Sequence, residues 1–104
     1  MVGLDLAPSF GLSETTLGRL RSVFNRHPKV LRVLVYGSRA KGNYRPGSDI
    51  DLSLDAPELS FAEFLKIEQE IDDLLLPYHV DLSRFADIEV GPLREHIERV
   101  GRVL

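Results

Sequence analysis

The chain has 104 residues, of which 43% are hydrophobic and 28% charged, as expected for one globular domain. It has no cysteine, which excludes disulfide scaffolds, cysteine zinc sites and cysteine nucleophiles, and its three histidines have no metal-ligand spacing. A net charge of −3 argues against a large nucleic-acid footprint. No apolar run approaches the roughly 18 residues of a membrane span. Residues 1–10 lack Lys and Arg, so we expect no signal peptide and a cytoplasmic location.

The first half of the chain predicts a helix and a strand. Residues 1–12 mix glycine, proline and serine and are expected to form a loose lead-in to a single domain over 13–104. Ser13 suits a helix N-cap, because apolar residues follow it at helical spacing until Pro28. Residues 30–36 are rich in β-branched side chains and almost continuously apolar, which predicts a strand buried on both faces.

A loop, a strand and a capped helix are predicted next. Residues 39–48 contain glycine and proline breakers and predict a loop with room for one helical turn. Residues 49–54 alternate polar and apolar side chains, which favours a half-buried strand. Ser60 and Glu63 have the spacing of a capping box and begin a second helix. Its apolar stripe is expected to run from Phe61 to Leu75, before Pro77.

The last third predicts a strand and a helix. Residues 79–83 are a short strand candidate, and Pro92 suits the first turn of a helix that stops at Gly101. Residues 103–104 are expected to add an edge segment. The order helix, strand, strand, helix, strand, helix predicts an α+β fold with a small mixed sheet and flanking helices.

Three carboxylates are the first candidate site. Asp49 and Asp51 alternate with apolar residues, so both side chains point to one face, with Cα atoms about 6.5–7 Å apart. Such a pair suits Mg²⁺, although surface strands also carry this pattern without a metal. Asp81 lies mid-strand between apolar neighbours. Beside the first pair it would complete a two-metal site, and otherwise it faces water at a sheet edge.

The turn after the first strand is the second candidate. Gly37 allows close backbone approach and Ser38 offers a hydroxyl, while a helical turn at residues 39–41 would aim N–H groups at an anion. Arg39, Lys41 and Arg45 add three cations. A plain turn and a solvated loop explain each feature singly, but the ordered series favours a phosphate site that leads to a carboxylate pair.

These motifs together resemble those of a known family. Gly37-Ser38, ten further residues and Asp49-x-Asp51 resemble the signature of the DNA polymerase β-type nucleotidyltransferase superfamily. The wording GSRAKGNYRPGSDIDL and the tail REHIERVGRVL are similar to those of the minimal nucleotidyltransferases, and Asp81 in HVDLS matches their third carboxylate. The resemblance covers roughly residues 15 to 104.

The resemblance implies that two Mg²⁺ ions and ATP bind this chain, and that a nucleoside monophosphate is transferred to an acceptor hydroxyl. It implies that Asp49, Asp51 and Asp81 are the catalytic metal ligands, and that Asp81 also takes the acceptor proton. It further implies that Gly37 and Ser38 hold the β- and γ-phosphates.

Two cations complete the nucleotide site that the resemblance implies, since Arg39 and Lys41 would offset triphosphate charge. Members of the family often work with a small all-helical HEPN-type or substrate-binding protein encoded nearby. Some act as antitoxins that attach AMP to a tyrosine of that partner, so a hetero-oligomer is expected. The alternatives are a non-catalytic binding module and transfer to a small molecule.

Overall fold

The computed structural model describes residues 9–104, and within them four helices flank one four-stranded sheet. In chain order the elements are α1 Glu14–Asn25, β1 Arg32–Tyr36, α2 Gly37–Lys41, β2 Ile50–Asp55, α3 Phe61–Asp72, β3 Val80–Arg84, a 3₁₀ turn Phe85–Asp87, α4 Pro92–Val100 and β4 Arg102–Val103. The predicted α+β class is confirmed. No helix among these residues is long and apolar enough to span a bilayer.

The sheet is mixed, as predicted, with strand order β3-β2-β1-β4. Strand β1 pairs antiparallel with β2 and β4, whereas β2 and β3 run parallel. In this register Tyr36 lies opposite Asp51, and Asp51 lies beside Asp81. One row of residues therefore crosses three neighbouring strands.

The larger core lies between one face of the sheet and helices α1 and α3. Ser13 caps α1 as predicted, because its hydroxyl accepts a hydrogen bond of 3.1 Å from the Thr16 N–H. The strands contribute alternate side chains to this core, which are Val33, Val35, Ile50, Leu52, Leu54 and Leu82. Helix burial of this kind, rather than propensity, supplies most of the stability of short helices.

Helix α3 begins as predicted and ends earlier than predicted. Ser60 and Glu63 form the reciprocal capping box. The last helical residue is Asp72, five residues before Pro77, because the chain turns at Leu75 with a φ of +54°. Leu75 is 86% exposed, and Phe61 and Leu65 are exposed as well, so the expected stripe was too wide. The buried face of α3 is formed by Phe64, Ile67 and Ile71.

Helix α4 covers part of the opposite face of the sheet. It begins at Pro92 and ends before Gly101, as predicted. Ile97 is its one buried residue and packs with Leu34 and Tyr36 of β1 in a second, smaller apolar cluster. This helix leaves the far end of β2 and β3 uncovered on that face, where Asp49 and Asp81 are exposed.

The predicted lead-in is partly wrong. Phe10 and Leu12 are 4% and 5% exposed and belong to the larger core, so the packed domain begins before Ser13. The rest of the predicted lead-in, residues 1–8, lies outside the described residues.

Candidate active site

The turn at Gly37 places backbone directly against a carboxylate. Gly37 has a φ of +71°, a conformation that side-chain-bearing residues rarely adopt. A methyl group at its Cα would collide with the Oδ2 atom of Asp51. The helical turn begins at Gly37 itself, two residues before the expected Arg39. The backbone conformation favours glycine here, and the absence of a side chain lets the Asp51 carboxylate approach the turn.

The predicted carboxylates come together at one end of the sheet. Asp51 and Asp81 are register partners on parallel strands, which are typically about 4.8 Å apart, and their side chains project from the same face. Asp49 immediately precedes β2 and is exposed. Because the Asp51 carboxylate lies against Gly37, the predicted phosphate turn and the predicted carboxylate pair are in contact.

The electrostatic environment of Asp51 is that of a crowded acidic site. Burial raises the pKa of the Asp51 carboxyl above its usual value, and the negative charges of Asp81 and Asp49 raise the pKa further. His79 and His96 act in the opposite direction. A cation beside these carboxylates would relieve their mutual repulsion.

The donor set fits an open Mg²⁺ site rather than a closed protein cage. Over residues 9–104 no three acidic, histidine or cysteine side chains stand close enough together to enclose a metal. Mg²⁺ commonly takes one or two carboxylates and completes its shell with water and substrate phosphates. Asp51, whose carboxylate lies against the Gly37 turn, and its register partner Asp81 have the right chemistry for such a shared site.

Tyr36 ends the same row and is buried against the second apolar cluster. Burial raises the pKa of its phenol, and the charges of Asp81 and Asp51 raise it further, while a hydrogen bond with Ser83 lowers it. The phenol therefore stays protonated beside the carboxylates at neutral pH.

His96 is a site residue that the sequence did not reveal. Its Nε2 atom accepts a hydrogen bond of 3.2 Å from the Gly37 N–H, and its ring stands edge-on to Tyr36 with 6.2 Å between ring centres. Accepting this bond requires the neutral imidazole protonated on Nδ1. The contact spans 59 positions of the chain, so only the docking of α4 could have predicted it.

The Arg39 side chain hydrogen-bonds to backbone carbonyls of the surrounding loops, whereas the sequence predicted that it would contact the triphosphate. Its side chain is 2% exposed, and the guanidinium donates hydrogen bonds to the backbone carbonyls of Phe10, Pro46 and Ser48. It also lies 5.2 Å from the ring centre of Tyr44. Because its donors are taken by these carbonyls, this placement argues against the expected charge offset by Arg39.

Lys41 lies at the other end of α2 from the glycine turn. It lies four positions after Gly37, which corresponds to roughly 6 Å along a helix axis. Its side chain is exposed and lines a groove with the end of α4. Contact between Lys41 and a bound triphosphate therefore stays a prediction.

This glycine turn, carboxylate row and mixed sheet define a nucleotidyltransferase. Residues 19–104 match the family described as "Polymerase beta, Nucleotidyltransferase", and the chain belongs to that family. The family assignment makes the protein an enzyme of nucleotidyl transfer.

Individual proteins similar to this chain are found among both sequences and solved structures. The chain is 28% identical over 88 residues to "Protein adenylyltransferase MntA" of Thermococcus cleftensis (strain DSM 27260 / KACC 17922 / CL1), which covers 77% of this chain and 88% of that protein. Among solved structures, a toxin–antitoxin complex with AMP-PNP is similar with a TM-score of 0.66 and 20% identity, over 83% of this chain and 69% of its own. A variant of the MntA-HpeT toxin–antitoxin pair has a TM-score of 0.65 and 23% identity, over 89% and 72%. At these identities the solved structures establish the shared fold.

Proposed function

We propose that this protein is a Mg²⁺-dependent adenylyltransferase that moves AMP from ATP to a tyrosine hydroxyl of a partner protein. The partner would be a HEPN-type toxin encoded nearby, and the modification would silence it, so the enzyme acts as a cytoplasmic antitoxin. The observation that carries the proposal is the contact of the Gly37 turn with Asp51, beside Asp81. The similarity to a named protein adenylyltransferase and to toxin–antitoxin structures supports a protein partner as the acceptor.

The proposed reaction is an in-line displacement at the α-phosphorus of ATP. The acceptor oxygen forms a new bond to that phosphorus while the bond to the bridging oxygen of the β-phosphate breaks. Pyrophosphate leaves with the electron pair of the broken bond, and the acceptor hydroxyl loses its proton. Such transfer depends on positioning and charge neutralisation more than on covalent chemistry by the protein.

The carboxylates and the turn divide these tasks. Asp49, Asp51 and Asp81 would hold Mg²⁺, which when bound neutralises triphosphate charge and favours loss of the acceptor proton. Asp81 is the exposed end of the row and is therefore the carboxylate that an incoming hydroxyl meets, so we assign it the acceptor proton. Gly37 and Ser38 would hold the β- and γ-phosphates through backbone N–H groups and the serine hydroxyl.

Nucleotide entry has one consequence for His96. The Gly37 N–H has a single proton, which it donates to His96 in this structure. A phosphate that takes this donor would replace the imidazole, so His96 and the triphosphate would compete for one N–H.

The test is a transfer assay with ATP radiolabelled on the α-phosphate, Mg²⁺ and the product of the adjacent gene as acceptor. We expect label on the acceptor with the wild type and with the control Asp72→Asn, whose exposed carboxylate lies on α3. We expect no label with Asp49→Asn/Asp51→Asn. Inhibition of the partner without nucleotide, and equally by the double variant, would instead establish a non-catalytic binding module.

A further inference from the structure

A basic groove separates the end of α2 from the end of α4. Its volume is about 480 Å³, and its lining consists of Ala40, Lys41, Arg99, Val100, Gly101 and Arg102. Three of these six residues are cations, none is an acid, and Lys41, Arg99 and Arg102 are all exposed.

The three cations have no acidic partner in the part of the chain that the structure describes. The ion pairs among residues 9–104 lie elsewhere, as between Lys29 and Glu63 or Arg32 and Asp55. Favourable interaction with the negative end of the α4 dipole accounts for Arg99 in the last turn of that helix. The same effect does not explain Arg102, which follows the helix in β4, or Lys41, which belongs to α2.

Helix α2 connects the basic groove to the candidate active site. Its first residue, Gly37, contacts the carboxylate of Asp51, and its last residue, Lys41, lines the groove. The distance along the helix is only roughly 6 Å. A chain segment held in the groove would therefore lie one short helix away from the glycine turn, towards the β4 edge of the sheet.

We propose that the basic groove binds an acidic segment of the acceptor protein. This inference rests on the proposed function for the identity of the acceptor. Carboxylates match the cations in charge, and Arg99 and Arg102 can each donate two parallel hydrogen bonds to one carboxylate, a geometry that favours Arg over Lys. The groove thus supplies the acceptor with a point of attachment besides the carboxylate row.

Charge around the groove favours a short acidic peptide over a nucleic acid. Glu95 and Glu98 are exposed on the same helix, and the whole chain has a net charge of −3. A phosphate backbone carries charge at every nucleotide and would meet these glutamates, whereas a few clustered carboxylates can stay within the groove. Electrostatic complementarity of this kind fixes the orientation and speed of docking.

The test compares two double variants of the full chain. Arg99→Glu/Arg102→Glu reverses charge in the groove, and Arg21→Glu/Lys66→Glu makes the same change at exposed cations of α1 and α3 that lack ion pairs in the described region. Fluorescence anisotropy measures binding of a labelled octaglutamate peptide and of a labelled single-stranded RNA of equal length. Circular dichroism confirms that both variants are folded.

We expect the wild type and the control to bind octaglutamate, and the groove variant to bind at least roughly tenfold more weakly. In the transfer assay the groove variant should raise KM for the acceptor protein and leave KM for ATP unchanged. Equal octaglutamate binding by all three proteins, binding by none, or groove-dependent binding of RNA alone would overturn the proposal. Absence of transfer by the wild type would sink the proposed function, while groove-dependent octaglutamate binding would still stand.

Discussion

The two faces of the sheet are built from alternate residues of the same strands, yet one carries apolar side chains and the other carries polar and acidic ones. On the face covered by α1 and α3, strand β2 contributes Ile50, Leu52 and Leu54, all fully buried. On the face covered by α4, the same strand contributes Asp51 and Ser53. The apolar face holds most of the core, and the other face holds the candidate site beside a small cluster around Ile97.

This difference separates stability from function along a single strand. Side chains alternate across a strand, so one element can anchor the fold on one side and present carboxylates on the other. The mutual repulsion of Asp51, Asp49 and Asp81 is tolerated because the opposite face supplies the packing. Substitutions of the carboxylates and of the apolar core residues should therefore have opposite effects on the free energy of unfolding.

The largest effect is expected for Asp51→Asn. Activity should fall by roughly 100-fold or more, because the charge that would hold Mg²⁺ is lost. The variant should be more stable than the wild type at neutral pH. In the wild type, folding raises the pKa of Asp51 above its ordinary 3.8, so the folded state loses stability as the pH rises from 3.8 through that higher pKa. Without Mg²⁺, urea unfolding should show a gain for the variant at neutral pH that disappears well below pH 3.8. A variant less stable than wild type at neutral pH would contradict this account.

A matched pair of truncations should measure the two faces directly. Leu52→Ala opens a cavity inside the larger core and should lower the free energy of unfolding by about 4 kcal/mol. Ile97 is as fully buried as Leu52, but it belongs to a small cluster where α4 can shift to fill the space. Ile97→Ala should therefore lower the free energy of unfolding by only about 2 kcal/mol. Urea denaturation at neutral pH provides both values. Equal losses would mean that α4 is held as rigidly as the core.

The apolar face was the easier of the two to predict from sequence. Its pattern is local, because β-branched runs and the Ser13 and Ser60 caps each act within a few residues. The carboxylates were also predictable, since alternation fixes the face of Asp51. The early end of α3 was missed because nothing local marks the left-handed turn at Leu75.

Long-range contacts account for the rest of what the sequence did not reveal. Arg39 follows the glycine turn and was expected to meet phosphate, but carbonyls from Phe10 and Ser48 surround its guanidinium once the loop closes. Burial of an arginine depends on such distant acceptors, which no spacing rule reports. The same holds for His96, which reaches the site only because α4 packs on β1.

The smallest effect is expected for His96→Ala, and it tests what ties α4 to the site. Removing the acceptor of the Gly37 N–H should lower the free energy of unfolding by only about 0.5 kcal/mol, since a neutral, part-buried hydrogen bond contributes little net energy. His96→Gln keeps an acceptor and should restore part of the loss. Because imidazole and phosphate compete for the same N–H, His96→Ala should also bind a non-hydrolysable ATP analogue more tightly, by a few-fold in a calorimetric titration with Mg²⁺. Weaker binding would instead mean that His96 holds the glycine turn in the conformation that phosphate binding requires. Helix α4 would then both cover the polar face of the sheet and fix the geometry of the site on it.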